Sequence, residues 1–123
     1  GMKRASEAPA IAVKPFSVSS DDLGSFSLAV TNELARYLDK KDWIDAIIQK
    51  NPSETDYQVL GAISKAGPNF KVDVTLKAPG DKTLWSTNLG GPLTQIRSLS
   101  DRVADQISNQ VFLEIMKVKD KFR

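Results

Sequence analysis

The groups in this chain that could do chemistry are carboxylates, lysines and two tryptophans, because its 123 residues contain no histidine and no cysteine. Without those types there is no serine–histidine relay, no thiolate nucleophile, no disulfide and no ordinary zinc or copper site. Three acidic arrangements remain. Asp21 and Asp22 are adjacent and could supply two oxygen ligands to calcium, but further oxygen ligands are missing from the neighbouring sequence, and the same pair suits a helix start. Asp101 and Asp105 stand one helical turn apart, as paired acid–base carboxylates would, with Arg102 between them; a wet helix face has the same pattern. Gly80-Asp81-Lys82-Thr83 looks like the end of a phosphate loop but lacks the first glycine at the required spacing. Trp43 and Trp85 are candidate stacking platforms, with a core role as the alternative for each. These readings predict no enzyme, no cofactor and no tightly bound transition metal.

Charge does not single out a partner. Seventeen basic residues face fifteen acidic ones, net +2, with the signs interspersed. The terminal cluster Lys117, Lys119, Lys121 and Arg123 is diluted by Glu114 and Asp120 and suits the C-terminal end of a helix dipole. So even a balance disfavours nucleic acid, although similar α/β sheets occur in anticodon-binding domains. No run reaches the roughly 18 apolar residues of a membrane span, and no signal-peptide apolar region is present. Gly1 before Met2 reads as an expression scar, which makes the missing targeting segment weak evidence for the cytoplasm.

The elements that would position any site are legible from periodicity. Phe70, Val72, Val74 and Leu76 alternate with Lys71, Asp73, Thr75 and Lys77, the pattern of a strand with one buried and one wet face. Upstream, Tyr57 to Ser64 alternates likewise, and Lys65-Ala66-Gly67-Pro68-Asn69 supplies a hairpin turn. Downstream, Ala78-Pro79-Gly80-Asp81 turns the chain into Thr83 to Leu89, with Trp85 and Leu89 facing one side. Ala10 to Phe16 is predicted as the first strand, ended by Pro15 near its close, and Ser17 to Ser20 as a polar loop. Leu23, Phe26, Val30, Leu34, Tyr37 and Leu38 mark an amphipathic helix ending near Lys40, with Ser19, Ser20 and Asp21 as candidate caps. Trp43 to Gln49 alternates as a strand, though Asp42 could cap a short helix instead. Gly90-Gly91-Pro92 is predicted to break the sheet. Leu99, Val103, Ile107, Val111, Ile115 and Val118 then form a second long helix, with Ser98 and Asp101 at capping-box spacing.

The expected fold class is α/β (α+β): a mixed five-stranded sheet in which a strand–helix–strand unit precedes a three-strand antiparallel meander and a C-terminal helix. Because the central strand is half polar, both long helices belong on one face. Residues 1–9 read as a mobile arm, and 10–123 as one domain.

Ile11-Ala12-Val13-Lys14-Pro15-Phe16 resembles the "IAVxPF" first strand of the TolB amino-terminal-like family, which includes modules attached to adenylate cyclases and tetratricopeptide proteins. Asp56-Tyr57-Gln58-Val59-Leu60-Gly61 looks like that family's "D-Y-x-hydrophobic-x-G", Thr83-Leu84-Trp85-Ser86 like its "x-L-W-S" strand, and Leu99 to Ile107 like its closing helix. The blocks occur in the family's order, and envelope lipoproteins of the CsgG and LpoB type have similar layouts. The link Asn51 to Thr55 is short by comparison and no propeller repeats follow, so TolB's own partners do not carry over. The resemblance implies a non-catalytic interaction or accessory domain of the bacterial envelope, periplasmic or anchored to the outer membrane, with a cytoplasmic location left open. Its partner would be an envelope protein or a second copy of the chain. A small-molecule-sensing module is the alternative.

One surface is predicted from alternation. Carried outward along the strands, the pattern puts Ala12 and Phe16 beside Leu60 and Ala62 on the face without helices, an apolar patch suited to docking or dimerisation. The N-terminal arm or the link Asn51 to Thr55 is the alternative cover for it.

Overall fold

A computed structural model describes residues 9–41, 43–54 and 56–120, with side chains given to residue 118. The predicted arm is outside the described residues except for Pro9, whose carbonyl accepts a hydrogen bond from the Asp45 N–H at 3.1 Å. In order, the elements are β1 (Ala10–Val13), β2 (Ser17–Val18), α1 (Gly24–Asp39), β3 (Asp45–Ile48), β4 (Tyr57–Ala66), β5 (Asn69–Ala78), β6 (Lys82–Pro92) and α2 (Ile96–Asp120). Single 3₁₀ turns lead into both helices, at Asp21–Leu23 and Leu93–Gln95.

The sheet is mixed, in the order β3-β1-β4-β5-β6, with β2 pairing β4 beyond the end of β1. β1 runs parallel to both β3 and β4, while β4, β5 and β6 form the antiparallel meander. Both helices cover one face. Their buried stripes, Phe26, Val30, Leu34 and Leu38 from α1 and Val103, Ile107, Val111 and Ile115 from α2, share one core with Val59, Ile63, Phe70, Val72, Val74 and Leu76. The Phe26 and Phe70 rings meet at 5.0 Å, tilted by 58°. Lys71 and Asp73 are exposed on the other face, as the alternation requires.

Several details differ from the sequence expectation, each for a physical reason. The first strand stops at Val13, since Pro15 has no N–H for the ladder. The chain then steps and pairs again: Ser17 and Val18 lie beside Ala62 and Ile63, so part of the predicted loop is a sixth strand. Gly90, Gly91 and Pro92 do not break the sheet; β6 runs through them. A Cβ at position 90 would lie 2.7 Å from the Phe70 carbonyl oxygen, so glycine here permits the strands to approach. With no break, α2 begins at Ile96, two residues before the predicted cap, and the Ser98 hydroxyl donates back to the Gln95 carbonyl at 3.0 Å. Ser20 occupies the cap position of the 3₁₀ turn ahead of α1, without a side-chain bond to the backbone, and Leu23 occupies that of α1 itself. The segment read as strand rather than helix is strand over Asp45–Ile48.

Handedness then fixes the link between β3 and β4. The connection from β1 to β3 passes through α1 on the helix side, and the return from β3 to β4 crosses β1 in the opposite direction. Right-handed crossovers in both require the second to pass over the opposite face. It does: the Gln58 amide donates to the Ser53 carbonyl at 3.1 Å, and Gly80 N–H donates to the Glu54 carbonyl at 2.9 Å.

Candidate functional site

The four residues of the predicted patch are not brought together. Ala12 does face away from the helices, aligned with Gln58, but it is only 1% exposed, on the face crossed by the 49–54 link. Phe16 is 3% exposed and belongs to the helix-side core. Its N–H donates to Thr31 Oγ1 at 3.1 Å and its carbonyl accepts from the Ser27 hydroxyl, so two α1 side chains hold its peptide groups. The reason for the misplacement is local. Alternation carried from Ala12 through Lys14 to Phe16 holds only while the strand continues, and it ends at Val13. Leu60 and Ala62 do lie on the open face, aligned with Thr75 and Asp73, with Leu60 half-buried and Ala62 exposed.

The polar arrangements resolve into structural roles. The Asp22 carboxylate accepts from Lys65 and Ser20, and these contacts, Lys65 first, hold its pKa below the usual carboxylate range. Asp101 accepts from the Tyr37 hydroxyl, which raises the phenol above its ordinary pKa. That contact joins α1 to α2, while Asp105, one turn further along the same helix face, is exposed. Gly80 to Thr83 connects β5 to β6 rather than a strand to a helix, and Lys77 Nζ contacts Asp81 at 2.8 Å. Trp43 is half-buried with its ring 5.1 Å from Phe112. Among the described residues no group of three or more acidic side chains is placed to hold a metal.

A different region does present a site. β6 is the last strand of the sheet order, and its outer edge has no partner strand among the described residues. Trp85, Thr87 and Leu89 alternate onto its helix side, opposite Leu76, Val74 and Val72 of β5. Above them α2 presents Gln106, Asn109 and Gln110, and the space between strand and helix is a groove of ≈ 360 Å³ open to solvent. Its lining is an indole, a hydroxyl, amides and aliphatic carbons, with no ionisable group. Such a surface can stack, exclude water and exchange hydrogen bonds, but it cannot transfer a proton near neutral pH.

The strand beside the groove is equally neutral. Every residue from Thr83 to Pro92 is uncharged, in a chain where 26% of residues are charged. Edge strands are normally shielded by lysine, proline or brevity. The opposite edge, β3, is brief, with four residues. β6 has eleven, its charge confined to Lys82, its bulge to Leu84 near the same end and its proline to the far end. Sequence reasoning found Trp85 and Leu89 but not Thr87, Gln106, Asn109 or Gln110. The available signal was the charge-free run itself.

No family model and no curated protein matches the chain at the level of sequence. Solved structures do match in fold. TolB from Acinetobacter baumannii aligns with a TM-score of 0.65 at 16% identity, covering 88% of this chain and 28% of that one. Two crystal forms of a PelC dodecamer from Paraburkholderia phytofirmans align with TM-scores of 0.63 and 0.61 at 15% identity, covering 83% of this chain and 88% and 86% of theirs. The chain therefore shares the mixed α/β fold of PelC and of a part of TolB about a quarter of that protein's length.

Proposed function

We propose that this is a non-catalytic interaction domain of the bacterial envelope that docks a protein along the β6 edge. The observation that carries the reading is the unshielded edge: ten consecutive uncharged residues, Thr83 to Pro92, flanked by a neutral groove. Strand addition there would satisfy the free backbone groups, and Trp85 and Leu89 would give the incoming chain apolar contact on the helix side. The sequence blocks that resemble the TolB amino-terminal-like family and the fold shared with TolB and PelC support an envelope setting, periplasmic or outer-membrane-anchored. The uniformly neutral lining supports a role without chemistry.

A photo-crosslinking amino acid at Thr87, with Asp73 on the open face as the control position, tests the reading in envelope extract. Protein adducts from position 87 that disappear when Leu89 is replaced by Lys are the expected result. Equal labelling from both positions, or none from 87, would overturn it.

A further inference from the structure

We infer that the occupant of the β6 edge is a second copy of this chain, joined antiparallel about a two-fold axis through Thr87. The inference rests on the docking reading above and names the partner for that site.

The sequence of β6 is suited to meeting itself. In a two-fold antiparallel pair each residue faces a partner whose number makes a constant sum with its own, so a charged strand tends to bring like charges together. From Thr83 to Pro92 there is no charge to repel. The bulge at Leu84 at one end and Gly90-Gly91-Pro92 at the other bound the regular run Trp85 to Leu89, whose centre is Thr87. Centring the axis there sets Trp85 against the partner's Leu89 on the helix side, an aromatic–aliphatic pair. It sets Ser86 against the partner's Asn88 on the open side, a hydroxyl facing an amide. Thr87 meets its own copy, and the bulge at Leu84 ends the paired run on one side. Each is a favourable or neutral cross-strand combination.

The layer above agrees. A two-fold axis perpendicular to the sheet keeps the helices of both copies on one side, so α2 comes to lie beside its own copy. The flank of α2 turned toward β6 carries Gln106 and Gln110 and continues to Leu113, which is 50% exposed in the single chain. Amides facing amides can exchange hydrogen bonds, and Leu113 gains an apolar neighbour that the single chain does not give it. The groove closes over Trp85 from both sides.

Sedimentation velocity over a concentration series, with single-cysteine cross-linking, tests this. The wild-type chain is expected to dimerise. Thr87→Lys places two ammonium groups face to face and should weaken association by roughly tenfold or more, with a melting temperature equal to that of the wild type at dilutions where both are monomeric. Because the chain has no cysteine of its own, Thr87→Cys should oxidise to a covalent dimer faster than Ser86→Cys or Asn88→Cys, which face other residues. That readout stands even if the lysine variant fails to fold. A wild-type chain that stays monomeric throughout, with no faster cross-linking at 87, would overturn the inference. So would a dimer that survives Thr87→Lys but is lost on Ile47→Asp at the opposite edge. If the wild-type chain is monomeric while a photo-crosslinker at 87 still captures another protein, docking at β6 stands and only the second copy is excluded.

Discussion

The ring of Phe16 lies directly over Gly61: a Cβ built at position 61 would fall 2.4 Å from two of its ring carbons. Glycine at this point of β4 is what lets the chain step inward after Pro15 and bury Phe16 beneath α1. Gly61→Ala should therefore cost about 1–3 kcal/mol, because the Phe16 ring, 3% exposed and with its N–H held by Thr31, must shift to admit the methyl group. A urea melt of the variant checks this, and a loss below a few tenths of a kcal/mol would mean the ring moves freely.

The two faces of β5 should respond very differently to the same substitution. Val72 is fully buried under the helices, so Val72→Asp would bury an unpaired charge and should cost about 3 kcal/mol or more. Thr75→Asp on the open face should stay within about 1 kcal/mol. Thermal melts of the pair decide the matter, and equal losses would contradict a sheet covered on one side.

Much of this architecture is readable from residue order, and the exceptions have local causes. Phe70 to Lys77 gives its strand and both of its faces by alternation alone, and the α1 and α2 stripes follow from helical spacing. Phe16 was misplaced because Pro15 ends the ladder and shifts the register, which alternation cannot register. Ala12 was assigned correctly to its face, and the right-handed rule, applied to the return from β3 to β4, implies its cover. The β6 groove was the least legible. Thr87, Gln106, Asn109 and Gln110 have no period or motif of their own, and only the sheet order makes β6 an edge.

The crossing link makes its own prediction. Gln58→Ala removes the side-chain bond to the Ser53 carbonyl and should lower stability by about 1 kcal/mol. The larger effect should be kinetic, with tryptic cleavage after Lys50 several times faster than in the wild type. Unchanged cleavage would mean the link is held by other contacts.

Tyr37 should titrate late. Its hydroxyl donates to Asp101, and since the folded-state pKa is raised, the neutral phenol is the form the fold favours. The stabilisation is thus complete below the unfolded pKa of about 10 and lost as pH rises through the folded value. Phenolate absorbance should contain a component with a midpoint above 10, and Tyr37→Phe should remove it. Asp101→Asn should bring the midpoint down. A Tyr37 midpoint at or below the free value would contradict the contact.

Hydrogen exchange along β6 tests the docking edge most directly. In dilute protein the account predicts that alternate N–H groups between Thr83 and Gly91 exchange rapidly while those of β5 stay protected, since only one side of β6 is paired. On association the fast set should slow markedly, with β3 unchanged. Protection of every β6 amide in dilute protein, or a gain of protection at β3 with none at β6, would contradict it.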